Sequence, residues 1–326
     1  MNRRTAILRG LDALFILALV AAPFSGAYPL LVMKVLCFAL FACAFNLLIG
    51  FTGLLSFGHA AFFGGAGYLM GHALTIWNLD PALGVLVGTG FAALLGLAIG
   101  GVAIRRQGIY FTMITLALAQ MMYFIFLQSP FTHGEDGLQG IPRGRLFGVV
   151  DLSNDLVMYY FILLVSALVF FAIGRIVHSP FGQILKAIKE NEARAISLGY
   201  DVDRFKVLAF ALSAAFSGLA GCLKVQVLGF ATLTDIHWTM SGLVVLMTLV
   251  GGLGTLAGPT VGAVLIVLLE DKLGDAGEWL AELTGLAGFN QLGESVTTVI
   301  GLSFVICVLT FRSGLVGELR QRFLPR

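Results

Sequence analysis

Charge is what this chain has least of. Only 12% of its 326 residues are Asp, Glu, Lys or Arg, against roughly a quarter in soluble domains. With 58% hydrophobic residues and a mean hydropathy of +0.95, a water-soluble fold of this size cannot cover its apolar content. Lipid is therefore its solvent. Cysteine is scarce as well. Cys37, Cys43, Cys222 and Cys307 all lie in apolar stretches at spacings that fit no metal site. We expect buried free thiols and no disulfide scaffold. No lysine follows a glycine anywhere, which excludes a G-x-x-x-x-G-K phosphate loop, and neither HExxH nor CxxC occurs. The sequence thus offers no ATP-hydrolysing motif, no metal site, no cofactor motif and no nucleophile–base constellation. The net charge of +2 carries no electrostatic footprint of nucleic-acid binding.

What is present is apolar helix. A span needs about 20 apolar residues, because the hydrocarbon core is about 30 Å thick and each residue rises about 1.5 Å. Ten candidate spans cover 9–26, 29–49, 57–77, 81–104, 109–128, 156–177, 205–228, 238–254, 258–273 and 294–311. The first is interrupted by Asp12 and Pro23 and follows Arg3, Arg4 and Arg9, so it reads as a retained helix or a cleaved signal peptide. We favour the retained helix. The ninth is short and Gly-flanked, as a half-helix would be. With the N-terminus in the cytoplasm, fifteen of the 20 basic residues fall on the cytoplasmic side and three outside, with Lys34 and Lys224 inside spans. That bias supports the parity and puts both termini in the cytoplasm of a bacterial inner-membrane protein. Five spans per half also has the parity of an inverted repeat. The expected fold is therefore an all-α polytopic transmembrane bundle forming a single membrane domain over 1–326.

Two long connections interrupt it. The outer one, about 129–155, is rich in Gly and Pro and predicts turns. The cytoplasmic one, about 178–206, predicts an amphipathic helix. Ser179 can cap it, Pro180 suits the first helical position, and Gly199 can end it in the left-handed region. Phe181, Ile184, Leu185 and Ile188 repeat at helical spacing, with Lys186, Lys189 and Glu190 on other faces. Such a helix can dock in a cleft of another protein or lie on anionic headgroups.

This stretch (SPFGQILKAIKENEARAISLG, 179–199) resembles the coupling loop of ABC-importer permeases, with Glu192, Ala193 and Gly199 matching its core. Gly199 lies seven residues after Glu192, one more than the common spacing, and the usual Leu-Pro ending is missing. Both departures resemble the branched-chain amino acid permeases of the LivM type. The stretches 46–64 (NLLIGFTGLLSFGHAAFFG), 107–117 (QGIYFTMITLA), 136–142 (DGLQGIP), 208–221 (LAFALSAAFSGLAG) and 251–263 (GGLGTLAGPTVGA) are similar to that family in the same order. The resemblance implies inward amino-acid transport. Its implied partners are two cytoplasmic ABC ATPase subunits, a second homologous permease chain and a periplasmic substrate-binding protein. Ala187, Glu190, Glu192, Ala193, Arg194 and Gly199 would then be ATPase-docking residues. A self-sufficient secondary transporter or channel is the alternative reading.

Several polar residues sit in or beside spans. Asn46, Thr52, Ser56, His59 and Gln120 can form a polar pathway or bond neighbouring helices. Lys34 and Lys224 each need an interior partner or an interfacial position. Lys224 lies near the outer end of its span, so we expect it to snorkel. Asp136, flanked by turns, can meet the binding protein or simply be solvated. The glycines from Gly251 to Gly262 suggest a broken helix near the pathway or close helix packing.

Overall fold

A computed structural model of the chain describes residues 20–24, 28–284, 296–311 and 314–323. Candidate span 9–26 lies largely outside the described residues. Helix α1 (Pro29–Thr52) starts with Pro at its first turn and stops at Gly53, whose φ of 76° closes the helix on the Ile49 carbonyl. Its sequence is apolar on every side, which makes it a helix for the interior of a bundle. It is buried over most of its length. Around it lie α5 (Asp155–His178), α8 (Val202–Leu228) and α10 (Gly258–Thr284). On the far side of α8 pack α2 (His59–Thr75) and α3 (Pro81–Ala103), with α4 (Ile109–Gln128) beyond α2. Helices α9 (Trp238–Gly251), α11 (Val296–Thr310) and α12 (Gly314–Phe323) complete the other flank.

Among the described residues five helices are long and apolar enough to cross a membrane: α1, α3, α4, α5 and α8. Helices α2, α9 and α11 are shorter than expected for spans. The expected half-helix at 258–273 is instead a helix of 27 residues, because no Gly or Pro interrupts it between Gly262 and Gly274. Helices α3, α4 and α5 bury only one narrow stripe each and leave large apolar side chains such as Leu86, Leu94, Phe124 and Phe171 exposed. Such exposed apolar faces suit contact with lipid or with another membrane chain.

Small residues set how closely the helices approach. Gly84, Gly88, Ala92, Gly96 and Gly100 recur every fourth residue on α3 and are all buried. A methyl at Gly88 would lie 2.7 Å from the Ala66 carbonyl oxygen, and one at Gly221 of α8 would lie 1.9 Å from that of Phe63. Without a hydrophobic drive between helices in lipid, such backbone contact supplies the packing attraction. Helices α9 and α10 meet the same way, since a methyl at Gly262 would overlap the Met247 carbonyl. This accounts for much of the glycine between 251 and 262. The chain also breaks there, between α9 and α10.

Residues 130–136 form two single 3-10 turns, followed by a small antiparallel hairpin of β1 (Arg145–Leu146) and β2 (Val150–Asp151). The 129–155 loop is therefore turns plus a minimal hairpin. Cys37, Cys43 and Cys222 are buried free thiols, whereas Cys307 is only half-buried.

Candidate functional site

Residues 178–206 fold as two helices, not the single one the sequence suggested. Helix α6 (Pro180–Glu190) is capped by the Ser179 hydroxyl, which accepts the Gly182 N–H at 3.4 Å. It ends at Asn191, whose backbone is extended (φ −156°, ψ 96°). The Asn191 side chain accepts the Arg194 N–H at 3.0 Å and so caps a second helix, α7 (Glu192–Ser197). The local signal for this break is an Asn with an acid directly after it, a good helix start inside a helix-length pattern. Gly199 follows with a φ of 86°, the left-handed conformation foreseen for it.

The two helices are tied to one end of the bundle. Leu185 and Ile188 are buried, and Phe181 stacks on Phe205 of α8 at 5.6 Å. Lys189 Nζ donates to the Gly50 carbonyl at the end of α1 (2.7 Å). Lys186 lies 5.7 Å from the centre of the Phe51 ring. Glu192 Oε1 accepts from Lys206 Nζ of α8 at 2.6 Å and from Gln107 Nε2, before α4, at 2.9 Å. The Lys206 side chain is only 4% exposed. Ala187, Glu190, Ala193, Arg194 and Gly199 remain exposed, as do Ile196 and Leu198. The result is a rigidly mounted knob with a small-residue and apolar tip.

Four of the sequence-derived polar residues bond backbone or neighbouring helices. Asn46 on α1 clamps the α9–α10 break. Its Nδ2 donates to the Thr255 carbonyl (2.8 Å), and its Oδ1 accepts the Gly254 N–H (3.0 Å). The Thr52 hydroxyl donates to the Leu48 carbonyl one turn back, and the Ser56 hydroxyl accepts the Gly58 N–H at 3.1 Å. His59 opens α2 and is fully buried, with Phe45, Phe62 and Phe210 presented edge-on to its ring. Its Nε2 meets the Ser213 Oγ of α8 at 2.9 Å, and that hydroxyl donates to the Ala44 carbonyl of α1 (2.6 Å). Because the serine proton is used there, His59 donates through Nε2, which leaves Nδ1 as a buried acceptor without a protein partner. Gln120 lies half-buried on α4, away from this group. Asn46, Thr52, Ser56 and His59 thus share one end of the bundle, but their polar atoms bond backbone or neighbouring helices. Ser213, Ser241, which accepts the Ala60 N–H at 2.9 Å, and Thr115 belong to the same network. They were not foreseen. Their signal is a hydroxyl in an otherwise apolar helix.

At the opposite end, Lys224 does not snorkel. Its ammonium forms a bidentate pair with Asp235, at 2.8 and 2.6 Å, and the two side chains are 7% and 4% exposed. Asp235 lies within reach because Gly229 ends α8 in the left-handed conformation and the chain turns back through a capped 3-10 turn at Leu233–Asp235. Burial leaves an unpaired ammonium too costly, so an acid eleven residues away was the partner to look for. The 129–155 loop bonds to the turn that carries this pair. Leu138 and Ala231 exchange backbone bonds (3.0 and 2.8 Å), and the Ile141 N–H donates to the Gly229 carbonyl (2.8 Å). Lys34 meets Glu270 of α10 more loosely, at 3.4 Å. Asp136 is exposed on its 3-10 turn. In the hairpin, the Ser153 N–H bonds the Asp151 carboxylate and holds its pKa below the usual range. Among the described residues no three His, Cys, Asp or Glu side chains gather as a metal site would need.

Residues 30–309 match the family described as branched-chain amino acid transport system / permease component. The chain is 28% identical over 268 residues to the high-affinity branched-chain amino acid transport system permease protein LivM of Escherichia coli (strain K12), covering 74% of this chain but only 62% of that protein. The corresponding Salmonella typhimurium protein is 28% identical over 84% of this chain and 70% of its own length. The ribose import permease protein RbsC of Bacillus subtilis (strain 168) is 27% identical over 89% of this chain and 92% of its own length. No solved structure matches significantly.

Proposed function

The chain belongs to the branched-chain amino acid transport system permease family, and from that premise we propose that it is the membrane-spanning permease subunit of an ATP-driven ABC importer. The observation that carries this reading is the mounted knob of α6 and α7. It exposes Ala187, Glu190, Ala193, Arg194 and Gly199, while Lys189 and Glu192 anchor it to α1 and α8. A surface built this way can receive a push from another protein and pass it into the bundle. Glu192 belongs to the docking segment through its position, though its carboxylate is spent on Lys206 and Gln107. The chain is a transport component, and ATP hydrolysis comes from two separate cytoplasmic ATPase subunits. A second homologous permease chain completes the pathway, and a periplasmic binding protein delivers substrate to the outer face near Asp136.

We read ten spans, with 9–26 as the first, both termini cytoplasmic and the two halves of five spans inverted. Asn46, Thr52, Ser56 and His59 then line the cytoplasmic end, and Gln120 sits apart on α4. Branched-chain or related amino acids are the proposed solutes, as the two LivM relatives' names suggest. The ribose permease alignment, which spans nearly the whole of both chains, supports a sugar as the second reading.

Gentle purification of the tagged chain from its own membrane, followed by mass spectrometry, tests the assembly. Two ATPase chains and a second permease are expected to come with it. A chain that purifies alone in detergents that preserve such complexes would overturn the reading in favour of a self-sufficient carrier.

A further inference from the structure

Helix α8 carries two buried lysines, Lys206 and Lys224, and each is held by an acid from a segment outside the span. Lys206 pairs with Glu192 of the docking knob, and Lys224 pairs with Asp235 beneath the outer loop. Eighteen residues separate them on one unbroken helix, which places them about 27 Å apart, close to the hydrocarbon thickness of about 30 Å. Buried ion pairs contribute little net stability, since apolar side chains of similar size serve as well or better. One fully buried pair and one pair whose acid is 25% exposed, at opposite ends of one helix, therefore call for another explanation, and geometry gives one.

We propose that Lys206 and Lys224 are positioning residues that make α8 the rigid link between the docking knob and the closure of the outer mouth. The inference rests on the permease reading above. At the inner end, Glu192 ties α7 to α8, and Phe181 stacks on Phe205, so displacement of the knob displaces α8. Along its length α8 does not slide freely. Its Gly218 and Gly221 lie against Ala92 and the Phe63 carbonyl, so α2 and α3 travel with it. At the outer end Lys224 holds Asp235, and the turn before it, through Ala231 and Gly229, is zipped to Leu138 and Ile141 of the outer loop. Arg143 adds a bond from Nη2 to the Val227 carbonyl of α8 (3.2 Å). Helix α1 has a looser counterpart. Its Lys34–Glu270 pair is longer and 25% and 39% exposed, so solvent screens it. Movement of the knob is thereby converted into movement of the 129–155 loop.

The test uses the assembled complex in nanodiscs, with Ala231→Cys as the reporter. Ala231 is 1% exposed beneath the outer loop. Labelling by an impermeant maleimide, counted over the same complex without that cysteine, is measured with and without a non-hydrolysable ATP analogue. Nucleotide is expected to change the labelling rate about fivefold or more, the low end of allosteric coupling. Lys206→Met is expected to reduce that response below about twofold, and Lys206→Arg, which keeps the cation, to retain it. Should Lys206→Met fail to assemble, the double variant Lys224→Met with Asp235→Leu decides in its place, and loss of the response supports the proposal. A full response in Lys206→Met, or in that double variant, overturns it while leaving the permease reading intact. An unmodified chain that recruits no ATPase overturns both.

Discussion

Breaking the Lys224–Asp235 pair one side at a time should be far more damaging than removing it whole. Lys224→Met leaves a carboxylate that is 4% exposed and bonded to the Thr232 N–H and hydroxyl at 3.5 and 3.3 Å. Removing one member of such a pair costs about 3–5 kcal/mol, because the remaining charge stays desolvated and uncompensated. Asp235→Leu strands the ammonium instead, with the Phe230 ring 5.3 Å away. The double variant Lys224→Met with Asp235→Leu removes both charges. It should fall within about 2 kcal/mol of the parent, since apolar replacement of a buried pair is often neutral or stabilising and the lost 3-10 cap costs about 1 kcal/mol. The coupling energy between the two positions is then about 4 kcal/mol or more. The buried thiols Cys37, Cys43 and Cys222 supply the assay, because a thiol-reactive dye reaches them only on unfolding. At one fixed scan rate, the single variants should unfold of the order of 5–15 °C below the parent and the double variant close to it. A double variant that melts lower than either single one, as additive losses would dictate, refutes the argument.

Three further outcomes follow from the packing. Asn46→Leu removes both bonds to the α9–α10 break and leaves the Gly254 N–H and Thr255 carbonyl unpaired, so it should cost about 2–4 kcal/mol in the same melt; an unchanged midpoint would show that the clamp is dispensable. Gly221→Ala places a methyl 1.9 Å from the Phe63 carbonyl and should sharply reduce folded yield by size-exclusion chromatography, whereas Gly101→Ala, with nothing within 4 Å, should match the parent. Ala193→Arg, at the exposed tip of the knob, should lower ATPase co-purification about tenfold, equivalent to about 1.4 kcal/mol of lost docking, without altering the melt; equal recovery would remove Ala193 from the docking surface.

By itself the sequence determined the solvent and the cast of elements. Scarce charge required lipid, and runs such as 29–49 and 156–177 are continuous enough to be helices under any packing. Ser179, Pro180 and Gly199 set local backbone conformation through short-range rules, so the start and end of the knob were legible without neighbours. Tertiary structure decided what depends on distant partners. Periodicity read 178–206 as one helix, and the break at Asn191 arises where Glu192 turns to meet Lys206 and Gln107. The position of Lys224 near a span end suggested a solvent-facing ammonium. The chain reversal at Gly229 brings Asp235 beneath it instead, and in a low-dielectric interior the nearer charge outweighs the route to water. Asn46 and His59 were recognisable as polar residues in apolar helices, but the atoms they bond come from residues more than 150 positions away. A span's sequence specifies that a polar group must be satisfied; only the packing of the other helices specifies by what.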